Sequence, residues 1–444
     1  MKRTTKTVLA ATTAALAAFI CQPSAQAQSA DTLIDKLVEK GVLTVKEGQA
    51  LRDESDKDFT RAYSAKTGMP EWVTAMKWNG DFRTRFEGFY SDNPAAVDRN
   101  RLQYRLRLGL TVDMMDGVEM GVRLASIGDT ASNPISSNQT FDNNASKKGL
   151  SIDMAYGKWT AINNDRWFAS FTVGKMENPM QFTPIVVDPD YTPEGFGQQV
   201  VLHLNPEHDL KLNLGQFVLE ERGASSLDTY MMGAQMLWDG KWGKHWTTQL
   251  GIGTLAISGK DSLKVANGQL NIGEGNTRVG GAVGGAPQYH FNPVIVDAGV
   301  GYTFDEVPMY PGAFPVRLAG EFMHNPTAPR DNEGYSVKLT LGKAGKKKTW
   351  EFSYELRELQ RDAIYEELPE SDFNAFTQRE FTTDGTSGFV NGTNVRGHIF
   401  KLGYSPFDSL TFFATYWITE NISETPAGSN SRAGRLQLDA VWKF

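Results

Sequence analysis

The residues whose spacing could do chemistry are two sets of opposite charges. Arg83 and Arg85 lie two apart, Arg101, Arg105 and Arg107 share the parity of the next stretch, and Arg123 follows on a third. In an extended chain residues two apart share a face, so these side chains form rows of permanently charged guanidinium groups. Facing them in charge, the segment 177–196 carries Glu177, Asp188, Asp190 and Glu194 among four prolines. Proline fixes φ and stiffens such a segment. Charges in this arrangement break no bonds; they orient dipoles and sort ions. Two arrangements are open. The acidic segment could fold against the arginines and set up a transverse field, or the arginines could pair within their own wall with Asp81, Glu87, Asp113 and Glu119.

Reactive chemistry has little support. No G-x-S-x-G, H-E-x-x-H or P-loop pattern occurs. The six histidines, His203, His208, His245, His290, His324 and His398, have no metal-ligand spacing. Asp188-Pro189-Asp190 with Glu194 offers oxygen ligands but lacks the spacing of a calcium loop, so it reads as a turn. No enzyme activity, cofactor or metal is expected. With 52 acidic against 45 basic residues, a net charge of −7 and no basic cluster, a nucleic-acid partner is not expected either.

The elements that must hold these charges are strands. In Arg435 to Phe444, Leu436, Leu438, Ala440, Trp442 and Phe444 fall on one face and Arg435, Gln437, Asp439 and Lys443 on the other. That strict alternation fits a strand with lipid on one side and a wet lumen on the other. From Lys77 onward about sixteen segments repeat the pattern. In one, Tyr104, Leu106, Leu108, Leu110 and Val112 oppose Arg101, Gln103, Arg105 and Arg107; in another, Val294, Val296, Ala298 and Val300 oppose Asp297 and Gly299. Short links such as 115–117, 163–165, 205–207, 344–346 and Ser405-Pro406-Phe407 alternate with long ones at 129–149, 177–196, 260–291, 362–393 and 421–433. A dry sandwich core could not bury three arginines in one row. The expected fold is therefore all-β, a transmembrane antiparallel barrel of about sixteen strands over residues 77–444. Its short turns and both termini are expected on the periplasmic side. Tyr104, Tyr302, Phe304, Trp350, Tyr404 and Trp442 read as interface girdles.

Ahead of the barrel, Lys2, Arg3 and Lys6 precede an apolar run ending near Cys21 and an Ala25-Gln26-Ala27 cleavage pattern. Residues 1–27 thus read as a cleaved secretory signal. Nothing later approaches about 18 consecutive apolar residues. Cys21 is the single cysteine, so the remaining chain would hold no disulfide. Residues 28–76 read as a periplasmic helical extension and linker. Leu33, Ile34, Leu37 and Val38 recur at helical spacing, and Thr44 with Glu47 makes a capping box.

Several motifs resemble the putative-porin family of Gram-negative outer-membrane proteins. They are Gly80-Asp81-Phe82-Arg83-Thr84-Arg85-Phe86-Glu87, the arginine-rich run Arg99 to Arg107, Gly174 to Pro179 followed by Asp188 to Gly195, Tyr310 to Pro315, and Gly342 to Trp350. The resemblance implies an outer-membrane porin, a water-filled channel for passive diffusion of small hydrophilic solutes and ions. It also implies lipid as surroundings, Trp442 and Phe444 as the signal read by the barrel-assembly machinery, and, from strand number, a homotrimer. An adhesin or structural barrel working through its extracellular loops is the alternative, and a closed lumen would favour it.

Overall fold

The computed structural model describes residues 68–92, 98–127, 135–142, 144–223, 228–264, 275–281, 285–373, 392–423 and 432–444. The signal and most of the helical extension lie outside the described residues. Met1–Thr74 and Ala75–Phe444 separate as two compact units, and the barrel wall is built by the second.

The strands are β1 (Val73–Ser91), β2 (Arg99–Met114), β3 (Val118–Ser126), the two-residue β4 (Gln139–Thr140), β5 (Leu150–Asn163), β6 (Trp167–Lys175), β7 (Glu194–Asn205), β8 (His208–Glu220) and β9 (Thr229–Trp242). They continue as β10 (Trp246–Ser258), β11 (Val294–Phe304), β12 (Phe314–His324), β13 (Glu333–Gly342), β14 (Thr349–Leu359), β15 (Val395–Phe407), β16 (Leu410–Asn421) and β17 (Ala433–Lys443). The first begins at Val73, ahead of Lys77. Apart from β4, sixteen long strands pair with their neighbours, and β17 returns to pair antiparallel with β1. The sheet is thus a closed barrel with no free edge, which is what a bilayer demands of strands that cannot hydrogen-bond to water.

Alternation sorts the two faces. Leu102, Leu108, Leu212, Leu250, Val296 and Leu402 all stand exposed on the outside, an apolar face suited to lipid. Aromatic rings gather where the short turns lie. Trp246 meets Tyr302, Tyr302 meets Phe304, and Trp350 meets Tyr310 and Phe314 at centroid distances of 4.7–5.9 Å. Amphipathic rings at this level are the interface girdle expected of a membrane barrel.

One link differs from its sequence reading. Ser405-Pro406-Phe407 is the end of β15, and the turn is Asp408-Ser409. The β15–β16 register slips between Tyr404 and Phe407. Proline lacks the N–H that a regular ladder would use, so it sits at this irregularity.

The lumen differs more. Alternation led to the expectation of a wet interior, yet part of it is a dry apolar core. Phe217, Met231, Leu255, Ile257, Ile295 and Met323 point inward from β8 to β12 and are almost wholly buried. They pack on Ile185, Val186 and Val187, from the connection after β6, and on Ile364, Tyr365 and Leu368, from the connection after β14. Glycines on the inner face make the room. A Cβ on Gly197 would stand 3.0 Å from Met176 Sδ, and one on Gly233 would collide with Met180.

Candidate functional site

Two connections fold into the barrel and bind each other. The first joins β6 to β7 and is anchored to the wall at three strands. Pro179 O accepts from Gln199, Gln181 N donates to Gln235, and Thr183 Oγ1 donates to Glu321 at 2.6 Å. The second, Gln360 to Phe373, follows β14. Its backbone carbonyls at Arg361 and Ile364 accept from Asn276 Nδ2 at 2.6 and 2.9 Å, and Asp362 accepts from Thr277. Arg278 and Glu366 form a buried ion pair beside it. Backbone bonds from Asp188 N to Leu368 O at 2.7 Å and from Glu370 N to Pro184 O at 2.9 Å join the two connections. The inward course of the first was one of the two arrangements read from its prolines and acids. The second was read only as an extracellular loop, and its apolar run Ala363-Ile364-Tyr365 was the signal missed.

The opposite side of the lumen is charged. A cavity of about 480 Å³ lies between the paired connections and the wall of β1, β2 and β13 to β17. Arg83, Arg85, Arg105 and Arg107 line it from one side and Asp188 and Asp190 from the other. Arg101 points inward but belongs to a cluster with Glu87. Arg123 pairs with Asp153. Neither lines this cavity. Of the four acids expected on the connection after β6, Glu177 is exposed, and Glu194 is instead the first residue of β7, opposite Lys175 on β6, with which it pairs at 3.2 Å.

The charges interlock according to strand register. Arg85 and Asp439 are directly opposed across the β1–β17 seam and form a two-pronged pair at 2.7 and 2.8 Å. Bidentate pairs of this kind hold geometry as well as charge. Asp81 accepts from Arg107 at 2.6 Å and from Arg105 at 3.0 Å. Asp190 reaches the same two guanidinium groups from the loop, at 3.2 and 3.3 Å. Asp81 and Glu87 thus pair within the wall, while Asp190 meets the arginines from the connection after β6. Asp113 instead pairs with Lys77 at 2.6 Å, and Glu119 accepts from Tyr156.

Two loop carboxyls beside each other are held differently. Burial, reinforced by the charge of Asp190, raises Asp188 to about 8. Burial would also raise Asp190, but Arg105, Arg83 and Arg107 outweigh it and hold it below the ordinary carboxylate value.

A second cavity, of about 470 Å³, lies toward the long-loop end and is bordered by Lys175, Glu194, Glu220 and Glu367. The first cavity reaches Val441 and Lys443 at the short-turn end. Ile135, Ser136 and Asp190 border both. Ser136 belongs to a third inward piece, held by a hydrogen bond from Ser126 Oγ to Ser137 O at 2.7 Å and by Arg83 donating to Asn138. Among the described residues no group of His, Cys, Asp or Glu is arranged to hold a metal ion.

A closed sixteen-stranded antiparallel barrel, apolar outside and charged along part of its lumen, has the fold of porins. Residues 91–265 match the family described as Putative porin, the family that the sequence motifs resemble. No curated protein matches the chain. Among solved structures, that of Pseudomonas putida OprB at high pH is 12% identical, covers 88% of this chain and 97% of its own, and superposes with a TM-score of 0.51. At that identity the likeness is one of fold. An Rh. blastica porin mutant reaches a TM-score of 0.40 at 8% identity, over 83% of this chain and 100% of its own, too loose a match to carry argument. The family match over residues 91–265 and the closed barrel fit an outer-membrane location.

Proposed function

We infer that the protein is an outer-membrane diffusion channel for small hydrophilic solutes and ions, whose narrowest point lies at Asp190 opposite Arg105 and Arg107. One observation carries this reading. Two charged cavities lie end to end inside a closed wall, and Asp190 borders both while touching the arginines. Opposed fixed charges at a constriction order water and polar solutes and disfavour apolar ones. The apolar core on the other side of the lumen makes the route narrow and off-centre. In this reading the barrel reaches the outer membrane through the assembly machinery, with Trp442 on its last strand and Phe444 just beyond it as the signal, and works as a homotrimer.

The test is single-channel recording in planar bilayers, with reversal potentials in a potassium chloride gradient. Steady openings are expected. Replacing Arg105 and Arg107 together with serine removes the ion-pair partners of Asp81 and Asp190 and shifts the reversal potential toward cation preference. Silence from correctly folded barrels would overturn the channel and favour an adhesin acting through its loops. An unchanged potential in the variant would overturn the constriction.

A further inference from the structure

We propose that Arg83 is a binding site for the carboxylate of small organic acids in transit. The assignment rests on the channel reading above and names a solute class for it. It follows from counting which charges in the lumen cavity are already compensated. Arg85 is paired with Asp439, Arg105 and Arg107 with Asp81 and Asp190, Lys338 and Arg357 with Glu355, and Lys401 with Glu351. A paired charge presents a dipole, whose field fades quickly, where a lone charge presents a monopole. Among the described residues, Arg83 and Lys443 are the two cavity cations with no carboxylate at ion-pair distance.

Arg83 is also held ready. Its guanidinium donates to Asn138 Oδ1, a neutral acceptor that fixes its position without cancelling its charge. Its Nε is buried and has no hydrogen-bond partner among the described residues. With Nε enclosed and Nη2 given to Asn138, an arriving carboxylate would meet the remaining guanidinium N–H groups on the cavity side, donors that arginine presents in a fixed plane. Lys443 stands on the same wall toward the short-turn end, so the two cations mark successive points along one route.

The neighbouring surface favours an organic anion over an inorganic one. Val441 is the cross-strand partner of Arg83, and Ile399 lines the same cavity. A short aliphatic tail would lie on these side chains while its carboxylate sits on Arg83. The charged group fixes orientation and the apolar part adds affinity.

The experiment records chloride current through the whole reconstituted protein while potassium butyrate or potassium formate replaces chloride at constant ionic strength. A saturable fall in current is expected, at lower concentration with butyrate than with formate. R83Q removes a cation repelled by Arg85 and Arg105 and keeps an amide that can still donate to Asn138. It should weaken the apparent butyrate affinity by about tenfold or more, the loss expected for a charge-assisted hydrogen-bonded pair. R83K keeps the charge but loses the fork and should fall between. Conducting channels without saturation, or R83Q channels that saturate as before, would overturn the site and leave the porin standing. Equal potency of the two acids would overturn the part played by Val441 and Ile399. Absence of any conductance from folded barrels would overturn the channel, and the site with it.

Discussion

Arg85 meets Asp439 because the β1–β17 register sets them opposite, and opposite charges across a ladder attract. Asp188 and Asp190 are only two residues apart, yet their surroundings split them. Asp190 faces guanidinium groups and stays ionised, whereas Asp188, among the described residues, accepts from the Asp190 backbone N–H and from Ser371 and is buried. A carboxyl whose value is raised is neutral below that value and charged above it. The cavity should therefore gain one negative charge as pH rises through about 8. Reversal potentials measured from pH 7 to pH 9 should move toward cation preference, and D188N should lose that movement while remaining open. A flat profile in the unmodified channel would mean that Asp188 is already ionised at neutral pH.

At the scale of elements, the inward connections are what reduce a wide barrel to a narrow route. Sixteen strands alone enclose an aqueous channel. Here Ile185 on one connection and Ile364 on the other are fully buried in the apolar core. Truncating a buried isoleucine to alanine costs about 2–5 kcal/mol of packing. That loss falls on the plug, because the wall is held by its own ladder. Ile185→Ala and Ile364→Ala should each raise single-channel conductance and its noise while the folded barrel still shows the heat-modifiable gel mobility of the parent. Conductance identical to the parent would mean that the core does not limit the route.

For the whole molecule, the bilayer decides which substitutions are tolerated. Leu212 faces outward between the ends of β8, whereas its neighbour Asn213 is buried on the lumen side with Gln199 and Gln235. Arginine at a lipid-facing position near the membrane centre costs about 2–4 kcal/mol. Leu212→Arg should lower stability by that amount in denaturant titrations of protein folded into lipid vesicles. A change below about 1 kcal/mol would put Leu212 outside the hydrocarbon layer.

Alternation, turn residues and the terminal strand were sufficient for the barrel, its strand number and its two faces. Each is a local property: a period of two dictates which side chains share a face whatever the rest of the chain does. The arginine rows and the acidic, proline-stiffened segment were visible for the same reason. Local pattern could not tell that Arg105 and Arg107 are ion-paired while Arg83 has no carboxylate at ion-pair distance among the described residues. That difference comes from the register of β1 against its neighbours and from how far Asp190 reaches across the lumen. Nor could it reveal the plug, since Ile185, Ile295 and Ile364 are distant in sequence and sit in loops or on an inner face expected to be polar. Irregular segments carry no period to read. Their course was decided only when glycines on the wall, apolar side chains on two connections and the backbone bonds between those connections came together in one closed space.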